Sequence, residues 1–311
     1  MYSRFKALKG YSQEELDRLH EATVAVVGLG ATGSVIAEHL ARHGVRLLLI
    51  DRDYLEGNDL YSSNLYTKSD VDNGLPKAIA ASEKLSELTT VESHVASLNG
   101  GNVDLLESAD IILDGTDNLE TRFLVNEYCK KNDKPWVYTA AIGEQGYSMF
   151  FDSECFSCVF EKVNAGKLDT CESAGIMRET AAISASKSAL KAVRYLTGKD
   201  VSEALETVDG RLLDVESQGC PVCNGEGYPH LESGKTTTSV CGENKYQLKR
   251  NVDDSAFERL REHGEVLADN DYLTRADIGG SSFTLFRSGR AIIEAEDAGH
   301  AEAVFDEIIG R

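Results

Sequence analysis

The segment from residue 23 to residue 51 constrains the fold more than any other part of the chain. Its beginning, Thr23 to Gly28, is a short apolar run rich in β-branched residues, and Ala31 to His43 then carries apolar residues at helical spacing. A second apolar run, VRLLLID, occupies residues 45–51. A strand, a helix and a second strand in this order are typical of a parallel pair of strands that is joined by a helix.

The same alternation continues to the middle of the chain. Helical spacing predicts helices at Ala78–Leu88 and Glu120–Asn132, and apolar runs predict strands at Ala109–Asp114 and Trp136–Ala141. Continuous apolar strands that alternate with helices indicate a parallel sheet covered on both faces. We therefore expect a doubly wound, mostly parallel α/β sheet.

The pattern changes after this alternating region. The runs SMFF at 148–151 and CFSCVF at 155–160 predict two further strands, and Lys162–Thr170 reads as a polar loop. Apolar spacing then predicts a long helix at Thr180–Leu196. These elements are expected to extend the α/β core.

The last third of the chain is predicted to contain a domain boundary. The run RLLDVES at 211–217 predicts a strand, and the stretch Gly225–Ser239 is rich in glycine, serine and threonine, as linkers often are. The remainder reads as a strand, a helix, several strands and a helix. We therefore expect a main domain at residues 1–240 and a small α+β appendage at residues 241–311.

Charge and hydropathy exclude some classes of partner. The 52 acidic residues against 32 basic residues give a formal net charge of −20, which would repel both a nucleic acid backbone and an anionic membrane surface. An uncharged apolar stretch of about 18 residues, which a membrane-spanning helix needs, is missing from the sequence. The N-terminus MYSRFKALKG also lacks the apolar segment of a signal peptide, so we expect a cytoplasmic protein.

Three glycines after the first predicted strand indicate a nucleotide site. Gly28, Gly30 and Gly33 form a G-x-G-x-x-G pattern that opens a helix, where backbone N–H groups can approach a phosphate without interference from Cβ atoms. Asp51 ends the next strand, where a carboxylate can accept hydrogen bonds from a ribose. The alternative interpretation is a tight turn that is simply packed in the core.

The type of nucleotide is a separate question, because this glycine pattern is also the usual fingerprint of NAD-dependent oxidoreductases. Arg52 and Asp53 follow Asp51 at the strand end, and Lys77 lies in the first turn of a helix after a proline. The run DGTDN at 114–118 closes a third strand with carboxylates that could face a metal. Phosphate transfer needs such cations and metal-binding acids, whereas hydride transfer does not.

Two C-x-x-C pairs predict metal or thiol chemistry. Cys155 and Cys158 form the first pair, and Cys220 and Cys223 form the second. Four thiolates complete a tetrahedral Zn²⁺ shell with no open position, so such a site would be structural. Independent redox thiols or buried thiols are the alternatives.

Several of these motifs together resemble the adenylating enzymes related to ubiquitin activators, the ThiF/MoeB/HesA family. The resemblance extends from residue 2 to residue 223, about 70% of the chain, and the motifs have the family's order and approximate spacing. In chain order they are YSR, VVGLGATGS, DRDYLEGNDL, LYTKSDV, LPKAIAA, DGTDN, the first C-x-x-C, TCESAGI and CPVC.

The resemblance implies roles for individual residues. Asp51 would hold the ATP ribose, with Asp53 also in the nucleotide site, while Arg52 and Lys77 would contact phosphates. Asp117 would bind Mg²⁺, and Arg4 would reach across a homodimer to the ATP of the partner subunit. The four cysteines named above would bind Zn²⁺.

The resemblance also implies a reaction and a partner. The C-terminal Gly-Gly carboxylate of a ubiquitin-fold sulfur-carrier protein would be adenylylated with ATP, in a pathway such as thiamine or molybdopterin synthesis. Cys171, in TCESAGI, corresponds to a cysteine that some relatives use for a thioester or persulfide, and a sulfur-donor protein could then take part; a buried packing role for this cysteine is the alternative. A non-catalytic homologue that binds the carrier is a second interpretation of the whole chain.

One departure from the family pattern falls on the phosphate site. Relatives commonly read S-N-L-Q-R-Q after the acidic strand end, whereas this chain has Asp59 in place of the asparagine and Ser62 in place of the arginine. Loss of a preorganised cation can cost on the order of 3 kcal/mol of transition-state stabilisation. Another basic residue such as Arg122 would have to compensate, or the enzyme would be slower or differently specialised.

Overall fold

A computed structural model describes residues 5, 7–160, 175–233 and 244–310. These residues form two compact units. The first consists of the described residues of Met1–Asp53, Gly57–Thr67 and Lys77–Gly234, and the second consists of Tyr54–Glu56, Lys68–Pro76 and the described residues of Lys235–Arg311. The domain boundary predicted at residue 240 lies in 234–243, outside the described residues.

The first unit is built on a sheet of eight strands, whose order is β3-β2-β1-β4-β5-β6-β7-β8. Neighbours from β3 to β5 pair in parallel, and neighbours from β5 to β8 pair antiparallel. The sheet is therefore mixed rather than mostly parallel. The strands are β1 (Thr23–Val27), β2 (Arg46–Asp51), β3 (Val91–Val95), β4 (Ile111–Asp114), β5 (Trp136–Ile142), β6 (Gln145–Phe151), β7 (Leu205–Thr207) and β8 (Leu212–Leu213).

Helices cover this sheet, and a 3₁₀ turn at Val103–Leu106 precedes β4. Among the described residues, no helix combines the length and the apolar character that crossing a membrane requires. The helices of this unit are α1 (Gln13–Glu21), α2 (Gly33–Arg42), α3 (Asp59–Ser62), α5 (Lys77–Leu85), α6 (Leu119–Lys131), α7 (Phe156–Phe160), α8 (Arg178–Leu196) and α9 (Pro229–Glu232), whereas α4 (Lys68–Asp72) belongs to the second unit.

The parallel part of the sheet has the architecture predicted from the alternating pattern. Strands β1, β2 and β4 are almost wholly buried, as expected for parallel strands with helices on both faces. The strand order reverses between β1 and β4, because β1 connects to β2 on one side and β3 connects to β4 on the other side of β1. Such a switch point opens a crevice at the carboxyl ends of the strands, where ligands bind.

One strand prediction was wrong, and a second was confirmed over only two residues. The run CFSCVF forms the helix α7 instead of a strand, with the rings of Phe156 and Phe160 stacked 4.4 Å apart on one face. Phe156 also contacts Trp136 and Phe151 in the core, so the aromatic cluster favours the helical spacing. The run RLLDVES contributes only the two residues of β8, which are exposed.

Other elements carried little signal in the sequence. Helix α1 is short and mostly polar, and its start is fixed by a capping box in which Ser12 and Glu15 accept hydrogen bonds from each other's backbone. Strand β3 is only partly buried and β7 has only three residues. Neither gives a long apolar run in the sequence, so the sequence did not predict them. Helix α9 lies inside the stretch predicted to be a linker.

The second unit contains an antiparallel sheet of five strands in the order β10-β11-β12-β13-β9. Two helices pack on one face around Phe257, Phe283 and Phe305. The order of elements, a strand, a helix, four strands and a helix, agrees with the one predicted. The elements are β9 (Lys245–Lys249), α10 (Asp254–His263), β10 (Glu265–Asp269), β11 (Leu273–Ile278), β12 (Ser281–Phe286), β13 (Arg290–Glu294) and α11 (Ala298–Ile308).

Candidate functional site

Three glycines form a close backbone contact at the switch point of the sheet. Gly28 has a φ of +83°, and a Cβ atom built there would lie 2.8 Å from the carbonyl carbon of Gly115. A Cβ on Gly33 would lie 1.8 Å from the Gly28 carbonyl oxygen, and one on Gly115 would lie 2.6 Å from the Gly33 Cα. The turn after β1, the start of α2 and the turn after β4 therefore touch directly, because none of them carries a side chain.

Gly30 differs from these glycines, since a Cβ built on it would meet no atom within 4 Å. The loop from Gly28 to Gly33 leads into the N-terminus of α2, and the N-terminal end of a helix attracts anions. Space beside Gly30 and N–H groups at a helix start are the features that a phosphate needs. The predicted glycine loop therefore has both a packed side and an open side.

Asp51, at the end of β2, is tied to this loop. Its carboxylate accepts hydrogen bonds from the backbone N–H of Leu29 at 2.6 Å and of Asp53 at 2.7 Å. Burial, together with the charge of nearby Asp53, raises the pKa of Asp51 to about 6, although Lys77 and the two N–H donors act in the opposite direction. Tyr66 adds a further tie, because its hydroxyl donates to the Leu29 carbonyl oxygen at 2.7 Å.

Lys77 lies among carboxylates at the start of α5. Its Nζ is 2.8 Å from the Asp59 carboxylate, and both side chains are mostly buried. Burial alone would lower the pKa of Lys77, but the charges of Asp59, Asp51 and Asp53 outweigh that effect and raise the pKa. Arg52 lies beside Asp53, with 3.7 Å between Nε and the carboxylate. The structure therefore brings the predicted residues Asp51, Arg52, Asp53 and Lys77 together.

Arg122 has a structural setting that the sequence did not reveal. Its Nε donates to the Asp114 carboxylate at 2.8 Å, and its Nη2 donates to the carbonyl oxygens of Thr116 and Thr139. The guanidinium also lies 4.9 Å from the centre of the Tyr138 ring. Since Arg122 is buried in these contacts, the geometry argues against it as the replacement for the cation that Ser62 lacks.

Asp117 lies in the turn that follows β4, and its side chain is exposed. The next residue, Asn118, caps α6 by accepting a hydrogen bond from the N–H of Thr121 at 2.8 Å. Because β4 pairs in parallel with β1, this turn lies at the same edge of the sheet as the glycine loop. Asp114, which closes β4, is buried against Arg122 and is not available to a metal.

Two predicted residues lie outside the described part of the chain. Arg4 falls in residues 1–4, and Cys171 falls in residues 161–174. Cys241, for which the sequence suggested no role, lies in 234–243 and is likewise not described. Cys129 is buried in α6, where it packs in the main core.

The four cysteines of the C-x-x-C pairs converge on one point. Their sulfur atoms all lie within 4.8 Å of one another, with 3.8 Å between Cys155 and Cys220 and 3.6 Å between Cys158 and Cys223. Disulfide bonds are far shorter, at about 2.05 Å. A tetrahedral Zn²⁺ site with Zn–S bonds of about 2.3 Å would place its sulfur atoms about 3.8 Å apart. The four-cysteine cluster is therefore compatible with zinc.

Groups around the cluster hold the cysteines in place. The side chain of Asn126 accepts the N–H of Phe156 at 2.9 Å and donates to the Cys155 sulfur at 3.5 Å and to Ser157 at 3.1 Å. The N–H of Cys155 donates to the Ser217 hydroxyl at 2.7 Å. These hydrogen bonds fix the backbone and side chain of the first cysteine pair on its side of the cluster.

Glu127, which the sequence did not single out, fixes the segment that follows the second cysteine pair. Its fully buried carboxylate accepts the backbone N–H groups of His230 and Leu231 and lies 2.6 Å from His230 Nδ1. The His230 ring stacks on Phe123 at 5.1 Å. This contact joins α9 to α6.

Comparison with known proteins assigns most of this chain to one protein family. The model of the ThiF family matches residues 2–220. The chain is 30% identical to the sulfur carrier protein ThiS adenylyltransferase of Bacillus subtilis, over 99% of each chain. It is 31% identical to the sulfur carrier protein adenylyltransferase of Thermus thermophilus, over 72% of this chain and 90% of that protein.

A solved structure supports the fold. The crystal structure of Escherichia coli MccB with ATP superposes with a TM-score of 0.55, at 19% identity, over 67% of this chain and 68% of that one. At this level of identity the likeness concerns the fold alone.

The close glycine contact predicts different effects for two similar substitutions. Gly33→Ala should lower the free energy of unfolding by about 1–3 kcal/mol or prevent folding, because its methyl group would overlap the Gly28 carbonyl oxygen. Gly30→Ala, whose methyl group enters open space, should stay within about 0.5 kcal/mol of the wild type. Urea unfolding of both variants measures this difference. Equal unfolding midpoints for Gly33→Ala and the wild type would show that the contact does not constrain the fold.

Proposed function

Because the chain belongs to the ThiF family, we propose that it is an ATP-dependent adenylyltransferase for the C-terminal Gly-Gly carboxylate of a ubiquitin-fold sulfur carrier. The observation that carries this proposal is the position of Asp51 and Lys77 beside the glycine loop at the switch point. The similarity to a ThiS adenylyltransferase over 99% of both chains supports the substrate class.

The reaction would join the carrier to AMP. A carboxylate oxygen of the carrier forms a bond to the α-phosphorus of ATP, and the bond from that phosphorus to the bridging oxygen breaks, which releases pyrophosphate. Asp51 accepts hydrogen bonds from the ribose, and the loop at Gly30 gives the phosphates access to backbone N–H groups. Lys77 and Arg52 neutralise the charge on the phosphates. Mg²⁺ bound by Asp117 would supply additional positive charge.

The pairing of Lys77 with Asp59 bears on how ATP binds. Lys77 can neutralise a phosphate only if the phosphate competes with the Asp59 carboxylate, which lies 2.8 Å from Nζ. An uncharged asparagine would compete less strongly, since it lacks the negative charge. Together with Ser62, Asp59 makes the site of this chain less positive than the family pattern implies. We expect weaker phosphate binding than in relatives that carry the asparagine and the arginine.

The same two residues favour a second candidate function. A chain with a weakened phosphate site could bind the carrier without activating it. Carrier-dependent exchange of radiolabelled pyrophosphate into ATP separates the two, since only an adenylating enzyme catalyses this exchange. An NAD-dependent oxidoreductase, the other interpretation of the glycine loop, would show no exchange and would bind the nicotinamide cofactor.

Wild-type protein should therefore catalyse carrier-dependent exchange, and Lys77→Ala should reduce the turnover number about 10²-fold, because the charge at phosphorus loses its cation. Asp117→Ala should abolish exchange without unfolding the chain, since its side chain is exposed. Lys84→Ala, on the same helix and with the same loss of charge, is the matched control and should stay within about twofold. Exchange by Asp117→Ala at the wild-type rate would contradict the assigned metal ligand.

We propose further that the four-cysteine cluster binds one Zn²⁺ per chain as a structural site. Burial raises the pKa of the Cys220 thiol to about 12, so a cation is needed to keep this sulfur as a thiolate. The spacing of the sulfurs supports tetrahedral coordination. The metal would hold the second cysteine pair, and the segment after it, to α7.

Metal analysis of unchelated protein should give about one Zn²⁺ per chain. Cys223→Ser should lose zinc and unfold at a lower temperature, because metal binding is coupled to folding. Cys129→Ser is the matched control: it also changes a cysteine to serine, but outside the cluster, and it should keep its zinc. Zinc below about a tenth of an equivalent in the wild type would contradict the proposal.

We also propose a homodimer in which Arg4 reaches the ATP of the partner subunit, as the resemblance implies. Apolar side chains are exposed on α8 and β8 of the described chain, including Ile183, Leu190 and Leu212. Of these, Ile183 and Leu190 lie together on α8, and adjacent exposed apolar side chains on a helix are compatible with a protein–protein interface. Sedimentation of a monomer at micromolar concentration would contradict the dimer.

Cys171 is proposed to act after adenylation. Its thiolate, or a persulfide formed on it by a sulfane-sulfur donor protein, would attack the acyl carbon of the adenylate. The bond from that carbon to the AMP oxygen would break, which releases AMP and leaves a thioester or an acyl disulfide.

Cys171→Ser should retain carrier-dependent pyrophosphate exchange, because that step uses only the phosphate site, but it should block transfer of the carrier to sulfur. An adduct of enzyme and carrier that excess thiol cleaves, seen by mass spectrometry in the wild type, should be absent from the variant. Cys241→Ser is the control and should keep the adduct. Full sulfur transfer by Cys171→Ser would instead assign Cys171 a packing role.

A further inference from the structure

Arg178, the first residue of α8, is held at the end of β5. The N–H of Gly143 donates to the Gly175 carbonyl oxygen at 2.8 Å, and the N–H of Met177 donates to the Gly143 carbonyl oxygen at 2.9 Å. Gly143 directly follows β5, which pairs in parallel with β4, and β4 pairs in parallel with β1. Because the carboxyl ends of parallel strands meet at one edge of a sheet, Arg178 lies at the edge that carries the glycine loop.

The packing of α8 against α2 brings the starts of these two helices to the same end. His39 Nε2, on α2, lies 3.2 Å from the Ser186 hydroxyl oxygen on α8. Since an α-helix rises about 1.5 Å per residue, this contact lies about 9 Å from the start of α2 at Gly33 and about 12 Å from the start of α8 at Arg178. Both helices begin at the carboxyl edge of the sheet, so Arg178 lies on the side of the glycine loop.

The guanidinium of Arg178 contacts the segment that follows the acidic end of β2. Its Nη2 donates to Asn64 Oδ1. In the same segment, the Tyr66 hydroxyl donates to the carbonyl oxygen of Leu29, in the glycine loop, at 2.7 Å. The Cα atom of Ser62 can lie at most about 7 Å from that of Asn64, because the two residues are separated by only one other. Arg178 is therefore bound to a segment that borders the proposed phosphate site.

The positive charge of Arg178 has a different partner from the charges of Lys77 and Arg52. Both of those side chains lie beside carboxylates. Asn64, the partner of Arg178, is neutral, and no carboxylate within the described part of the chain forms an ion pair with this guanidinium. Arg178 and Asn64 are also exposed. An anion that binds at this edge would therefore not compete with a protein carboxylate for Arg178.

We propose that Arg178 binds the triphosphate of ATP and supplies the positive charge that the site lacks at Ser62. The inference rests on the proposed function, because it concerns the same phosphate site. A planar guanidinium can donate two hydrogen bonds to one phosphate, and the exposed side chain is free to turn from Asn64 to such a ligand. Its charge offsets the charge of the β- and γ-phosphates, which leave together as pyrophosphate.

Equilibrium binding of nucleotides to the full-length protein, without carrier, tests the proposal. Arg178→Gln retains a donor for Asn64 but removes the charge, so it should weaken ATP binding about tenfold. AMP lacks the β- and γ-phosphates, and its binding should therefore stay within about twofold of the wild type. Arg178→Lys keeps the charge but not the planar fork of donors, and it should weaken ATP binding about threefold.

Arg194→Gln is the matched control. Arg194 is likewise an exposed arginine of α8, and its guanidinium also bonds a neutral acceptor, the carbonyl oxygen of Asp200. It lies in the last turn of the helix, at the opposite end from Arg178. Arg194→Gln should leave the binding of both nucleotides within about twofold of the wild type. Equal weakening of ATP binding by the two variants would overturn the proposal, because it would reflect the net charge of the protein.

An arginine introduced at Ser62 tests whether the two positions serve the same phosphates. In the Arg178→Gln background, Ser62→Arg should recover most of the lost ATP affinity, whereas in the wild type it should add less than about threefold, because a cation already acts there. Equal gains in both backgrounds would overturn the proposal. Should Ser62→Arg fail to fold, as judged by urea unfolding, the comparison of Arg178→Gln with Arg194→Gln decides the matter.

The outcome for this inference is distinct from the outcome for the proposed function. ATP binding by the wild type without carrier-dependent exchange would reject the adenylyltransferase, and the affinity of Arg178→Gln for ATP would still decide the inference. A wild type that binds no ATP would reject both. Exchange by the wild type together with unchanged ATP affinity in Arg178→Gln would reject only the role of Arg178, and a raised KM for the carrier in that variant would assign the guanidinium to the carrier instead.

Discussion

Three backbone segments of this protein meet without side chains between them, at Gly28, Gly33 and Gly115. This contact fixes the distance between the two central strands, β1 and β4, and sets the start of α2 against the turn after β4. The proposed nucleotide site would depend on it, since the loop can present backbone N–H groups only while its other side stays packed. A single methyl group at Gly33 would have to separate elements on which the rest of the parallel sheet is built.

A buried ion pair between Arg122 and Asp114 stabilises the turn after β4. Arg122 joins Asp114 and two backbone carbonyl oxygens, which offsets the cost of burying its charge. The guanidinium thereby stabilises the turn that presents Asp117 and is unavailable to a phosphate. With Ser62 in the position of the family's arginine, the proposed phosphate site would take its fixed positive charge from Lys77 and Arg52, both of which lie among carboxylates, besides the charge proposed for Arg178.

Sequence patterns predicted the parallel half of the sheet, the glycine loop and the grouping of the two C-x-x-C pairs into one cluster, because each depends on local periodicity or on fixed spacing. They failed for CFSCVF, where an aromatic cluster assembled from distant residues favours a helix over a strand. They also did not reveal the contact of Arg122 with Asp114, or the union of Tyr54–Glu56 with the C-terminal sheet. Such features arise from packing between segments far apart in the chain, for which a single sequence contains no local signal.

The carboxylates around Lys77 also affect whether this lysine can react with the acyl-adenylate of the proposed reaction. An acyl-adenylate is a strong acylating agent, and a neutral amine beside it would be converted into an amide, which would inactivate the enzyme with its own intermediate. Asp59, Asp51 and Asp53 raise the pKa of Lys77, so its nitrogen keeps its proton and has no lone pair to attack with. In the proposed reaction, the same ion pair that would compete with ATP for the lysine would therefore protect that lysine from acylation.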